Sequence, residues 1–480
     1  MKVRASFFIA LACVFTLATV QAAEERRLLA GEAEELGRSL WTEVERGEEG
    51  VSGIGSLLST IPDGPEKRAA INKTRGEHGF ALLHEAVRRG SVAMVAALIQ
   101  AGADVHVRTA NRYAWTPLHF AFNRQIAALL IDAGADVNAE DAYGNTLLKR
   151  LLESRYGDDW DECHRATFDY LIAKGAAVNT GRLETPLAIA VKNNLKACVR
   201  VLLAQGAVLN RTCLRAHGQT VLHLAADQCL PQMISLLVAE YGFDVNAQSL
   251  SEGHTPLHSV VAKGPNYFHR LPPCSYDTWV QTVQALLDNG ANINEPDSSG
   301  KTALHIAAEQ CLPGMVTYLV ERGAQIDAET AEGRTPLHVA VSAECSRSVK
   351  ASKDTLRSSW AQTVQALLAS GASLDERDSS GNTVLHVATM HWQSLMVQYL
   401  IDQGAPLDAR DADGKTPLHL AVMRKRPYNA DTSIGMRCYR DEQWVQTVQT
   451  LVDKGADVNV LDGASRAVLF DACSNVIGGI

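Results

Sequence analysis

Apolar positions along this 480-residue chain come in pairs of short stripes, each pair closed by a Gly-Ala. The first stripe of a pair begins with a fixed hexad, intact at Thr116-Pro-Leu-His-Phe-Ala121, Thr335-Pro-Leu-His-Val-Ala340 and Thr416-Pro-Leu-His-Leu-Ala421. Looser copies stand at Thr185, Thr220, Thr255, Thr302 and Thr383. Thr can cap free backbone N–H groups and Pro fits the first helical turn, so the hexad predicts a helix start. Leu and the following Ala then share one helical face. The second stripe, as in Leu319-Val-Glu-Arg-Gly-Ala324, predicts a second helix ended by a left-handed Gly.

The period is about one helix pair. His305 to His338 spans 33 residues, and so does His386 to His419. From His223 the spacings run 35, 47, 33, 48 and 33, so blocks of two repeats recur at 82 (35 + 47) and 81 (33 + 48) residues. The longer member of each block carries an insertion ending in Trp279-Val-Gln-Thr-Val-Gln284, Trp360-Ala-Gln-Thr-Val-Gln365 or Trp444-Val-Gln-Thr-Val-Gln449. These insertions cover residues 263–278, 342–359 and 423–443, with another at 153–166. Trp279, Val283, Leu286 and Leu287 fall on one helical face, so Trp279 is expected to pack and to pin the insertion. Near Trp115 one repeat is short between Phe122 and Ile126, and in the next Lys149 stands where the motif has His.

The hexads and their period resemble the ankyrin-repeat family over most of the chain. The resemblance implies an all-α solenoid of about ten to eleven helix-loop-helix repeats with hairpin fingers. It also implies histidines that hydrogen-bond backbone and neighbouring Thr, and protein binding through fingers and inner helices. The expected organisation is a signal peptide over 1–23, a capping repeat over 24–77, the array over 78–460 and a C-terminal cap over 461–480.

Charge and composition narrow the partner. A formal net charge of -9 disfavours nucleic acid, which needs a basic stripe. Lys2 and Arg4 precede an apolar run from Ala5 to Val20 and small residues at Ala22 and Ala23, the pattern of a cleaved export signal. No membrane span is expected after its removal, and the protein is expected to be extracytoplasmic, periplasmic or secreted. Export makes disulfides admissible. Of ten cysteines, Cys13 lies in the signal. Each insertion carries one, and the expected staples are Cys229–Cys274 and Cys311–Cys345, then Cys438–Cys473 and Cys163–Cys198. Such a bridge stabilises by about 2–4 kcal/mol.

No catalytic constellation, phosphate-cradling loop or cofactor motif is present, so neither an enzyme nor a cofactor is expected. One function expected is an exported protein-binding scaffold, in concrete form an immunity or inhibitor protein that covers a toxin or hydrolase. Another is a redox or metal-handling protein using the cysteines and the His269 to Cys274 stretch. Partner contacts are expected from insertion residues Tyr267, Phe268, His269, Arg270, Tyr276, Tyr428, Arg437 and Tyr439. Acidic finger residues, Asp297, Asp378, Asp411 and Asp413 among them, are expected to steer a basic partner surface.

Overall fold

A computed structural model describes residues 34–60, 64–73, 76, 79–154, 162–180, 184–208, 218–264, 275–343, 353–391, 393–423 and 434–468. For 65, 66, 73, 353–358 and 434–443 only the backbone course is described. These residues form helices, short turns and one isolated bridge between Leu461 and Ala467. They fall into two compact units, one running to Leu209 and the other starting at Ala216 apart from a short exchange around 210–215.

The first unit opens with α1 (34–45) and α2 (Val51–Ser59), a helix pair whose apolar face buries Leu40, Val44 and Ile54. A further helix within the expected capping repeat is α3 (Pro65–Lys73). Pro at its first position and the Asp63-Gly64 before it were the available signals. Helix pairs α4 (Leu82–Arg89) with α5 (Val92–Gln100), α7 (Leu147–Glu153) with α8 (Glu162–Ala173), and α9 (Pro186–Lys192) with α10 (Lys196–Ala204) follow. Between α5 and α7 the short repeat has a single 3₁₀ turn, Pro117–Phe120, before α6 (Arg124–Asp132). Thr116 to Gly134 covers 134 − 116 = 18 positions, against 323 − 302 = 21 from Thr302 to Gly323. Three missing residues remove most of one helical turn.

The second unit holds six pairs: α11 (Val221–Asp227) with α12 (Pro231–Ser235), α13 (Pro256–Lys263) with α14 (Tyr276–Asp288), and α15 (Ala303–Glu309) with α16 (Pro313–Glu321). Next come α17 (Pro336–Ser342) with α18 (Lys353–Ala369), α19 (Val384–Met390) with α20 (Ser394–Asp402), and α21 (Pro417–Met423) with α22 (Ile434–Asp453). Beyond α12 the chain winds as a π-helix over Leu236–Glu240. Thr220 to Gly242 spans 242 − 220 = 22 positions, one more than in the Thr302 repeat, and a π turn absorbs such an extra residue. First helices pack in sequence from α11 to α21, while second helices pack in the couples α12–α14, α16–α18 and α20–α22. The two-repeat period of the sequence is thus visible in the packing.

Each repeat buries the hexad Leu and Ala, for example Leu304 with Ala307 and Leu337 with Ala340, against an apolar second-helix stripe such as Met315, Val316 and Leu319. Burying one such side chain is worth about 2 kcal/mol, so the stack is held chiefly by this face. Gly323 ends α16 at φ 94°, which lets Ala324 N donate to Leu319 O at 3.0 Å.

The insertions differ from expectation in one respect. Their C-terminal parts are not loop: α14, α18 and α22 begin before the Trp, at Tyr276, Lys353 and Ile434. These helices have 13, 17 and 20 residues, where α16 and α20 have 9. Residues 353–359 and 434–443 contain no Pro or run of β-branched residues, and they continue the helix backwards from the Trp stripe.

Candidate protein-binding surface

The hexad histidines tie one repeat to the next. In the second unit Thr302 N donates to His305 Nδ1 at 3.1 Å, and the ring's other nitrogen lies 2.9 Å from Arg334 O. A nitrogen that accepts from an amide carries no proton, so the imidazole is neutral with its hydrogen on Nε2, donating to that carbonyl. The same pair of bonds recurs at His84 (Trp115 O), His119 (Asn145 O), His223 (His254 O), His258 (Lys301 O), His338 (Asn382 O), His386 (Lys415 O) and His419 (Arg466 O). Each accepting carbonyl sits one residue before the next repeat's hexad position. Burial drives His119 and His258 down to about 4 and lowers His223, His305, His338 and His386 as well. Lys149, in the repeat without a histidine, is buried and bonds back to its own finger, at Asn145 Oδ1 (2.9 Å) and Gly144 O (3.4 Å).

Asparagines at the finger bases add a second tie. Asn294 Nδ2 donates to Gly323 O and its Oδ1 accepts from Gln325 N, and Asn72, Asn138, Asn179 and Asn246 repeat this clasp. The tips also join backbone to backbone, as Ala331 N to Ser299 O at 2.9 Å.

The finger aspartates bond within their own turns. Asp297 Oδ1 accepts from Ser299 N, Ser299 Oγ and Lys301 N, and its side chain is 5 % exposed. Asp378 accepts from Ser380 N, Asn382 N and Asn382 Nδ2, and Asp411 from Asp413 N and Lys415 N. Desolvation alone would raise Asp297, but the hydrogen bonds from Ser299 and Lys301 outweigh it and hold its carboxyl below the usual range. These carboxylates close their own turns. Asp413 is the exception, with a 71 % exposed side chain paired to Lys415 at 2.7 Å.

Of the insertion residues, Tyr276 is half exposed at the start of α14, its ring 5.7 Å from that of Trp279. Tyr267, Phe268, His269, Arg270 and Tyr428, and the side chains of Arg437 and Tyr439, lie outside the described residues. The stripe tryptophans do pin these segments: Nε1 of Trp279, Trp360 and Trp444 donates at 2.8 Å to Val260 O, Ala340 O and Ala421 O, the same hexad position each time.

Cys229 and Cys311 are disulfide-bonded, and both hold left-handed backbone, at φ 53° and 55°. Their expected partners Cys274 and Cys345 lie outside the described residues, as do the side chain of Cys438 and all of Cys473. Cys163 and Cys198 are both free, against the pairing expected. Cys163, exposed on α8, points its thiol back to Phe122 O at 3.9 Å, whereas Cys198 is sealed in α10, where burial pushes its thiol up to about 12.

A concavity in the first unit escaped the sequence reading. About 650 Å³ lies open beside the shortened 3₁₀ turn, lined by Tyr113, Trp115, Phe122, Tyr143, Arg150 and Glu153 among others. Tyr113 and Trp115 stack at 4.3 Å, and the Arg150 guanidinium lies 4.5 Å from the Trp115 ring centre and 5.5 Å from that of Phe120. The only signal for it was the three-residue deletion.

Among the described residues no helix is long and apolar enough to cross a membrane. Sequence comparison finds Ankyrin repeats (3 copies) matching residues 57–141, 143–249, 274–351 and 357–432, and Ankyrin repeat matching 332–379 and 413–463. The chain is similar to the Nuclear factor NF-kappa-B p105 subunit of Gallus gallus, 33 % identical over 50 % of this chain and 25 % of that protein. It is also similar to the NF-kappa-B inhibitor delta of Mus musculus, 37 % identical over 38 % of this chain and 56 % of that protein. The B-cell lymphoma 3 protein homolog of Mus musculus is 32 % identical over 39 % and 42 % respectively. The matches therefore span between a quarter and just over half of these relatives. With repeats matched over most of its length and helix pairs built as the family pattern demands, the chain belongs to the ankyrin-repeat family.

Proposed function

We propose that this ankyrin-repeat chain is an extracytoplasmic scaffold that covers and inhibits another protein, without catalytic chemistry of its own. The observation that carries the export half is the pair of bonded cysteines. Cys229 and Cys311 sit in the left-handed backbone of the helix junction, as Asn194 does in its own repeat, and bridges made there persist in an oxidising compartment. The basic and apolar residues ahead of Glu24 support the same reading.

The inhibitory half rests on the repeat surface and on a relative. An array of helix pairs offers an extended face rather than a reaction pocket. One relative is named as an inhibitor of NF-kappa-B, which makes binding with inhibition the natural mode to test here. A toxin or hydrolase met outside the cytoplasm is the partner class we favour. The redox or metal-handling alternative would rest on the cysteines and on the His269 to Cys274 stretch, which lies outside the described residues.

Affinity capture from the extracytoplasmic fraction, washed at moderate salt, tests the reading. A protein partner whose activity falls on adding the pure chain supports it, and recovery of the chain only in the cytoplasm with reduced thiols refutes it. Alkylation without reductant followed by mass measurement reads the cysteines: Cys229 and Cys311 stay unlabelled if the bridges exist.

A further inference from the structure

We infer that the concavity beside the shortened repeat seats a carboxylate-bearing segment of the partner protein, with the carboxylate on Arg150 and an adjoining apolar side chain against Tyr113 and Tyr143. This rests on the protein-binding reading above and names the chemistry that one part of the surface recognises.

Arg150 supplies the main observation. Its Nε is enclosed, and the guanidinium makes no hydrogen bond or ion pair among the described residues. Only Nε is sealed, so an incoming group meets the outer nitrogens, and the acceptor that matches their planar fork is a carboxylate. Its plane is fixed in advance by the Trp115 and Phe120 rings, which reduces the ordering that binding must impose. The carboxylates already present, Asp141 and Glu153, act on its charge from nearby but give it no hydrogen bond among the described residues. Asp141 accepts from Tyr143 N, Asn145 N, Asn145 Nδ2 and Trp115 Nε1. Glu153, on the last turn of α7, forms no ion pair with Arg150 among the described residues, and burial raises its carboxyl.

The apolar half of the site is equally definite. Tyr143 is 48 % exposed, its ring 5.8 Å from that of Tyr113, which itself stacks on Trp115. A volume of about 650 Å³ holds a two- or three-residue segment and not a folded element. A cationic occupant is disfavoured because Arg150 already covers the Trp115 ring with positive charge. The concavity opens where the turn Pro117–Phe120 stands in place of a first helix.

Two sources share this chemistry, an Asp or Glu side chain and a chain-terminal carboxylate. The test titrates the full chain, by nuclear magnetic resonance of its indole N–H groups, with three short probes. One is acetyl-Gly-Phe-Asp-Gly-amide, one is acetyl-Gly-Gly-Phe with a free terminus, and one is acetyl-Gly-Phe-Asn-Gly-amide. At least one carboxylate probe is expected to bind about tenfold more tightly than the Asn probe. Whichever carboxylate probe binds identifies the source. Arg150→Met should abolish that preference, while Tyr143→Ser should weaken all probes and keep it. Equal binding of Asp and Asn probes to the unaltered chain, or no saturable shift from either carboxylate probe, overturns the proposal. So does an Arg150→Met chain, shown folded by circular dichroism, that binds as before. Should Arg150→Met not fold, Arg150→Lys serves, with partial loss expected and unchanged binding again overturning. If a captured partner binds the wild type and Arg150→Met equally, the scaffold reading stands and this site falls.

Discussion

Acidification from pH 7 to pH 5 should weaken the array through histidines that cannot take up a proton where they sit. His119 and His258 are held near 4 by burial, against an ordinary value of 6.5. In the unfolded chain they charge as the pH falls through 6.5, so between 6.5 and 4 the unfolded state binds more protons and stability falls with falling pH. At pH 5 the linkage for a shift from 6.5 to about 4 amounts to roughly 2 kcal/mol for each. His223, His305, His338 and His386 move in the same direction and add to it. Two buried acids oppose: Asp227 and Glu153 are raised by burial, so they gain stability as the pH falls. Finger aspartates such as Asp141 and Asp297 are lowered and act only below the ordinary carboxylate range. The assay is urea unfolding followed by circular dichroism at pH 7, 6 and 5, beside the variant His258→Gln. The variant should be less stable at pH 7, because the bonds to Thr255 and Lys301 O are lost, yet show a shallower acid slope. Unfolding midpoints that do not move between pH 7 and 5, or a His258→Gln slope equal to that of wild type, would refute the reasoning.

Other outcomes follow from single contacts. Trp279→Phe removes the donor to Val260 O from a buried site and should cost about 1–3 kcal/mol in denaturant unfolding, whereas Tyr276→Ala at the exposed start of the same helix should cost under about 1. Gly300→Ala places a Cβ 2.5 Å from Ala331 N at φ 81°, so the finger tips must part, with a loss of about 1–3 kcal/mol seen in thermal melts. Asp378→Ala strips the turn of its acceptor and should destabilise by about 2 kcal/mol, while Asp413→Ala, exposed, should change little; equal effects would contradict the division between them.

The fold was legible because Thr, Pro, Leu, His and Ala each have a local job that the sequence states outright: cap, first turn, core, tie and close packing. The stripe Trp was legible for the same reason, through helical spacing. The turn-closing bonds of the finger aspartates were not legible, because an acidic residue in a turn looks alike in sequence whether its carboxylate faces water or its own amide groups; only the N–H positions around Asp297 and Asp378 decide. The backward growth of α18 and α22 was missed because polar helix and polar loop share composition. Arg150 was missed because its isolation depends on what is absent nearby, a three-residue gap in another repeat.

The lengthening of the second helices gives the later unit a graded profile. At about 1.5 Å per residue, α14, α18 and α22 measure roughly 20, 26 and 30 Å, while the intervening α16 measures about 14 Å. Alternate rungs therefore grow by about one turn or so per step, like the teeth of a tapered comb. A body gripping that margin would meet a different depth at every second rung, which would fix both its direction and its register along the chain without any change in the repeated core.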